Sequence, residues 1–281
     1  MSRPVLQSQK LSLGYGDKTI INNIDLDIPE GKITTLIGAN GCGKSTLLRS
    51  MARLLKPKSG CVLLDGKEVF TSSTKEIAKR LAILPQGPVA PEGMSVMQLV
   101  RQGRYPHQSW LKQWSEEDER CVVDALKATN MTEFAERTVD SLSGGQRQRA
   151  WIAMTLAQNT PVILLDEPTT YLDMSHQVEI LDLLFDLNRD SGRTVVMVLH
   201  DMNLACRYSD NIVAVKNGEI YANGQPETVM TAELVEQVFG LDSQIIPCPM
   251  FGTPTCVPVG KGRRISTPLH VVESVPIARS A

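Results

Sequence analysis

Residues Gly38-Ala39-Asn40-Gly41-Cys42-Gly43-Lys44-Ser45-Thr46 carry the spacing G-x-x-x-x-G-K-[ST] of a phosphate cradle. Glycines at those places let the main chain wrap an anion so that its amide N–H groups converge on it. A helix starting at Lys44 would add the positive end of its dipole. Lys44 is then expected on the β- and γ-phosphates of a nucleoside triphosphate, and the Ser45 hydroxyl on its Mg²⁺. Cys42 lies inside the cradle beside that helix start, a setting that activates thiols in general. Two readings stand for it: a maleimide-sensitive thiol shielded by nucleotide, or a small side chain filling a slot. A second element, Val162-Ile163-Leu164-Leu165-Asp166-Glu167, is an apolar run ending in two carboxylates. A buried strand that ends in a charge needs a cation there, and Mg²⁺ supplies one. Asp166 would orient the metal shell, leaving Glu167 free to polarise a water. A third, Leu142-Ser143-Gly144-Gly145-Gln146, offers an N-cap serine, two glycines and a helix start, which make a second anion-binding surface.

These loops need a scaffold, and the chain's periodicity describes one. Leu11 and Leu13, then Ile24, Leu26 and Ile28 between Asn23, Asp25 and Asp27, alternate as antiparallel strands do when one face is wet. Ile33 to Gly38, Val162 to Asp166 and Thr194 to His200 are short, nearly unbroken apolar runs, the pattern of parallel strands buried on both faces. Helical spacing falls between them at Leu47, Leu48, Met51, Leu54 and Leu55, at Ala150, Ala153, Met154 and Ala157, and at Val178, Leu181 and Phe185. Alternating strands and helices argue for an α/β core. Lys216-Asn217-Gly218-Glu219 is a type I′ hairpin signal. Between about Gly87 and Ser141 strand signals vanish, as in a helical insert expected over about residues 87–155. The expected division is a nucleotide-binding domain over 1–240 and a Pro-rich, loosely attached tail over 241–281.

Composition excludes several classes. The chain has 281 residues, 42% apolar and 21% charged, near the globular norm, so whole-chain disorder and collagen-like repeats are set aside. Lys plus Arg against Asp plus Glu is 29 − 31 = −2, which gives no general drive toward nucleic acid or anionic lipid. The Arg147/Arg149 pair therefore reads as structural ion pairing. Cysteines 42, 61, 121, 206, 248 and 256 have no metal-ligand spacing and make a poor disulfide framework, as in a reducing compartment. The opening MSRPVLQSQK lacks the apolar core of an export signal. The longest uncharged stretch, Ser243 to Gly260, contains Pro247, Pro249, Pro254 and Pro258 and does not read as a membrane span. A membrane role would have to come through a partner.

Cradle, LSGGQ segment and strand carboxylates, in that order over about residues 5–240, resemble the ATP-binding cassette (ABC) family. An Asn-Lys-x-Asp guanine reader is absent, against a GTPase. The resemblance implies a P-loop ATPase core with a mostly parallel sheet, an N-terminal antiparallel β subdomain and a helical insert. It implies ATP and Mg²⁺ as ligands and a head-to-tail homodimer. In that dimer each ATP lies between the Lys44 loop of one copy and Ser143, Gly144, Gly145 and Gln146 of the other. Tyr15 matches the family's adenine-stacking aromatic, and Gln86 the glutamine on Mg²⁺ and the attacking water. Asp173 matches the loop that crosses to the partner's site, and His200 the γ-phosphate-sensing histidine. Glu167 would be the general base.

Gly103 to His107, Pro168 to Asp173, Ser175-His176-Gln177 and Leu199 to Ala205 are similar to bacterial ferric-siderophore importers, with haem and vitamin B12 importers as neighbours. The resemblance implies integral membrane permease subunits, an extracytoplasmic binding protein reached indirectly, and a peripheral place on the cytoplasmic face of the inner membrane. Trp110 and Trp114 read either as packing or as a permease contact. A DNA-repair ATPase would need a long coiled coil between cradle and LSGGQ, whereas 142 − 46 = 96 positions without heptads separate them. A soluble cluster-assembly cassette is the remaining rival.

Overall fold

The computed structural model describes residues 4–108, 114–170 and 172–261. Trp110, Tyr171 and the tail beyond 261 lie outside the described residues. The chain opens with β1 (Pro4–Tyr15), β2 (Lys18–Pro29), β3 (Ile33–Ile37), α1 (Lys44–Met51), β4 (Ser59–Leu64), β5 (Lys67–Glu68), α2 (Thr74–Ala78) and β6 (Leu81–Leu84). Helices α3 (Val96–Gln102), α4 (Glu116–Ala128) and α5 (Gly144–Ala157) follow without an intervening strand. Then come β7 (Val162–Leu165), α6 (Met174–Ser191), β8 (Thr194–Val198), α7 (Met202–Tyr208), β9 (Asn211–Lys216) and β10 (Glu219–Gly224). Short α8 (Pro226–Val229), α9 (Ala232–Phe239), β11 (Ser243–Pro247) and β12 (Pro254–Pro258) complete it.

Two sheets carry the site. The antiparallel one runs β2-β1-β4-β5 and the larger one β10-β9-β3-β8-β7-β6. In the larger sheet β9, β3, β8, β7 and β6 are mutually parallel and only β10 is antiparallel. Side-chain alternation sorts these strands into two cores. Ile33, Ile163, Leu165, Val195 and Met197 face α5, α6 and the insert. Leu36, Val162, Leu164, Val196 and Val198 face α1 and the antiparallel sheet. Both faces are dry, which is why the runs carry no charged interval; the threonines among them, Thr34, Thr35 and Thr194, are buried. In β2, by contrast, Ile24, Leu26 and Ile28 are buried while Asn23, Asp25 and Asp27 are exposed. The expected hairpin forms, with Asn217 at φ 51° and Gly218 at φ 80°, the paired left-handed residues of a type I′ turn.

Three features depart from the sequence reading. The stripe ending at Leu54 and Leu55 is shorter: α1 stops at Met51, Arg53 turns left-handed at φ 63°, and Leu54 N–H bonds the Arg49 carbonyl at 2.8 Å. That is a Schellman closure made without glycine, and it leaves Leu54 exposed. On α6 the buried stripe is Ile180, Leu181 and Leu184, with Val178 and Phe185 only part-buried. The Pro-rich stretch after Gly240 is docked over Ser243–Pro258, where β11 and β12 pair. Asn203 of α7 exchanges two hydrogen bonds with the Cys256 main chain, accepting its N–H at 2.7 Å and donating to its carbonyl at 3.3 Å. This partner lies 53 residues away and leaves no local pattern.

The insert is locked by a fully buried arginine. Arg104 donates from Nε to Asp118 at 2.8 Å and from Nη1 to the Ala157 carbonyl at 2.9 Å, joining the end of α3 to α4 and α5. Arg104→Ala would strand a buried carboxylate and should cost about 3–5 kcal/mol in stability. Chemical-unfolding midpoints check this. A loss below about 1 kcal/mol would mean that water reaches Asp118. Of the signature pair, Arg149 meets Glu179 of α6, and Arg147 donates to the Asp140 carbonyl at 3.3 Å, both structural contacts. Trp114 donates to Glu119 at 2.7 Å and lies 5.2 Å under the Arg101 guanidinium, so within this chain it packs onto the insert.

Candidate nucleotide-hydrolysis site

The cradle links β3 to α1. Gly38 (φ 148°), Gly41 (φ 78°) and Gly43 (φ 110°) take conformations that only glycine adopts without strain. Gly38 is doubly constrained, since a Cβ there would stand 2.2 Å from the Val215 carbonyl oxygen and 2.8 Å from Cys42 Sγ. Cys42 is buried and its sulfur packs into that gap, which favours the slot-filling reading. Lys44 is buried, and its ammonium donates to the Gly38 and Ala39 carbonyls at 2.7 and 3.1 Å, so the loop holds its own cation in place.

Ser45 Oγ donates to Asp166 Oδ1 at 2.7 Å, joining the start of α1 to the end of β7. Asp166 is 1% exposed and its Oδ2 has no partner. Burial, with neighbouring Glu167 adding to it, raises this carboxyl above its ordinary range, against the Ser45 bond. An orphaned, buried carboxylate oxygen beside a hydroxyl is the donor set that a hard divalent cation completes. Burying a charge without a counter-ion destabilises the empty fold. Asp166→Asn is therefore expected to raise the melting temperature of the nucleotide-free protein by a few degrees, about 1 kcal/mol, while removing hydrolysis. The sign also sets a pH trend: a carboxyl raised in the fold binds its proton more readily there than when unfolded. The penalty is thus present at neutral pH and relieved as pH falls through the raised value. Unchanged or lower melting of the variant would show that Oδ2 is already satisfied by solvent.

Glu167 follows at φ 55°, a left-handed conformation costly for glutamate and typical of functional positions. It accepts from Gln86 Nε2 at 2.7 Å, from Thr170 Oγ1 at 3.0 Å and from His200 Nε2 at 2.8 Å. Burial alone would lift this carboxyl. The bonds from His200, Thr170 and Gln86 outweigh it and hold the group below its usual range. Thr170 was not singled out from the sequence. It lies three residues after Glu167, within reach only because the intervening chain turns back. An open cavity of about 440 Å³ is lined by Asn40, Lys44, Thr46, Gln86, Glu167 and His200, with Gly41, Gly43 and Ser45 also on its wall.

The remaining candidates are not on that wall. Tyr15 ends β1 and is 48% exposed. Ser143 caps α5: it accepts from Gln146 N–H at 3.3 Å, while Gln146 Oε1 accepts from Ser143 N–H at 3.1 Å. Such a capping box contributes about 1 kcal/mol and fixes the turn. Ser143 and Gly144 are exposed. Asp173 caps α6, accepting from Ser175 Oγ and from the His176 amide and ring. Those bonds, led by the His176 amide, hold its carboxyl down to about 2.

A parallel sheet whose glycine loop, helix-borne Lys and Ser, and strand-end Asp meet at one cavity defines a P-loop nucleoside triphosphatase. Residues 21–170 match the family described as ABC transporter. The chain is 64% identical, over 92% of its length and 95% of the relative's, to the petrobactin import ATP-binding protein FpuD of Bacillus anthracis. It is 50% identical, over 91% of its length and 94% of the relative's, to the ferric enterobactin transport ATP-binding protein FepC of Escherichia coli. A dimeric structure of a bacterial ABC transporter cassette superposes with TM-score 0.70 at 30% identity, covering 78% of this chain and 98% of that one. The chain belongs to the ABC transporter family and is an ABC ATPase.

Proposed function

We propose that this chain is the ATP-hydrolysing subunit of an importer that takes up ferric siderophores. The observation that carries the hydrolytic part is the Glu167 carboxylate, ionised and aimed by three donors at the rim of the Lys44 cradle. Triphosphate lies along the loop amides with Lys44 on its β- and γ-phosphates, and the adenine stacks on Tyr15. Ser45, Asp166 and Gln86 would hold Mg²⁺, which would spread the charge developing on the γ-phosphate. Glu167 accepts the proton of the attacking water as its oxygen closes on phosphorus in line with the leaving ADP. His200 and Gln86 orient water and phosphate.

The signature turn and Asp173 stand off the cavity, so the other wall comes from a second copy: Ser143 to Gln146 and Asp173 of the partner close over the nucleotide. ATP joins the copies, and loss of the γ-phosphate lets them part. Among the described residues no helix is long and apolar enough to cross a membrane. In this reading integral permease subunits carry the cargo, with the ATPase on the cytoplasmic face of the inner membrane and a binding protein delivering cargo from the other side. Names of the relatives support the siderophore cargo. Deleting the gene is expected to abolish growth on ferric siderophore as sole iron source, and the tagged chain should co-purify with a multi-span protein. Growth lost only on haem or cobalamin, or soluble partners alone, would overturn the cargo or the transport role respectively.

A further inference from the structure

The second glycine of the signature has no backbone reason to be glycine. Gly145 is helical, in the first turn of α5, and its φ lies outside the left-handed region. Its neighbour Gly144 has open space where a Cβ would go, but a Cβ on Gly145 would stand 2.9 Å from His176 Cδ2 and 3.2 Å from Cγ. The imidazole of His176 thus lies directly on the Gly145 main chain. The same ring donates from Nδ1 to Asp173 Oδ1 at 2.7 Å, an oxygen that also takes the His176 amide at 3.0 Å and the Ser175 hydroxyl at 2.9 Å. One side chain therefore touches two segments 28 residues apart, the signature turn and the Asp173 cap (173 − 145 = 28).

The geometry points to His176 as a positioning residue that fixes the signature turn and the Asp173 loop as one rigid surface for the partner copy's nucleotide. This rests on the proposed head-to-tail dimer. Each segment is already ordered within itself, Ser143 to Gln146 by its capping box and Asp173 by its own cap. Neither bond relates one segment to the other. The ring does so through close packing on one side and a directed hydrogen bond on the other. A flexible side chain of the same length would keep at most one of these contacts, because the imidazole plane covers Gly145 while its Nδ1 edge reaches Asp173. Arg149 and Glu179 also join α5 to α6 about a turn further along; without the ring, the ends of the two helices before that pair would each have to be ordered as the partner closes, and the cost would fall on dimer formation.

A double-mutant cycle tests this in a Glu167→Gln background, with ATP-dependent dimerisation measured by analytical ultracentrifugation. His176→Ala is expected to weaken the ATP-bound dimer about tenfold. It should leave the affinity of single copies for a fluorescent nucleotide within about twofold, since the ring does not line the cradle. In the chain with Glu167 intact, the same variant raises the ATP concentration for half-maximal hydrolysis more than it lowers the maximal rate. Gly145→Ala, which drives a methyl into the ring, should also weaken the dimer at least tenfold, and this loss should shrink once His176 is alanine, leaving only what the glycine contributes at the nucleotide itself. Gly145→Ala being equally damaging in both backgrounds would overturn the assignment, because the glycine would then act independently of the ring. So would a His176→Ala dimer as tight as its parent. Failure of the Glu167→Gln parent itself to dimerise with ATP would instead sink the dimer reading.

Discussion

Glu167→Gln slows ATP hydrolysis by about 10³-fold or more and leaves a dimer that persists as long as ATP is present. Glutamine keeps the volume and the left-handed backbone position, and its amide oxygen still accepts from Gln86 or Thr170. It cannot take a proton from water. It also gives up the charge-assisted bond with His200, the strongest of the three contacts that depress the glutamate. ATP binding, carried by the loop amides and Lys44, is untouched, so the gluing phosphate stays and the copies do not separate. Single-turnover hydrolysis and size-exclusion chromatography with ATP measure the two effects. Turnover within about tenfold of the parent would show that another group accepts the proton. The bonds that depress this carboxyl keep it ionised through the ordinary carboxylate range in the nucleotide-free chain, and its charge is lost only as pH falls through the lowered value.

The parts of this site readable from sequence are those whose chemistry is local. The cradle needs φ values that glycine alone takes at 38, 41 and 43, so composition at fixed spacing announces it. The doubly buried strands announce themselves because neither face meets water, so no charged residue interrupts them, and their few polar members are uncharged threonines. Contacts between distant segments left no such trace. Thr170 on Glu167, Arg104 under α5, Asn203 on Cys256 and His176 on Gly145 each depend on how separate elements meet. Gly145 shows the limit most clearly. Read along the chain, it is one of two glycines wrapping an anion. In the fold, Gly144 is sterically free and Gly145 is the one a neighbouring ring requires. Similarly, the leucine spacing runs one turn past the end of α1, because the helix is stopped by Arg53, a residue with no intrinsic preference for the left-handed turn it adopts.

Ser143→Arg is the substitution that separates a site completed in trans from one completed within a chain. It is expected to reduce hydrolysis more than about 100-fold, and to abolish the ATP-dependent dimer, while single copies keep their affinity for nucleotide. Ser143 is exposed at the tip of a capped helix and absent from the cavity wall, so a long cation there disturbs little of its own chain. Losing the cap costs about 1 kcal/mol, too little to unfold a domain of this size. Facing a partner's γ-phosphate, the same side chain occupies the space that the serine hydroxyl and the turn's amides would use. Lys44→Ala disables the opposite half of the site, because the buried ammonium that organises the loop is gone. Each variant alone is inactive. Mixed together, they form heterodimers in which one site joins an intact Lys44 loop to an intact Ser143 turn, and its partner site carries both lesions. Activity in the mixture above the sum of the two separate samples is the expected result. A mixture no more active than its parts, with Ser143→Arg alone retaining turnover, would mean that each copy closes its own nucleotide and that the second copy is not needed for hydrolysis.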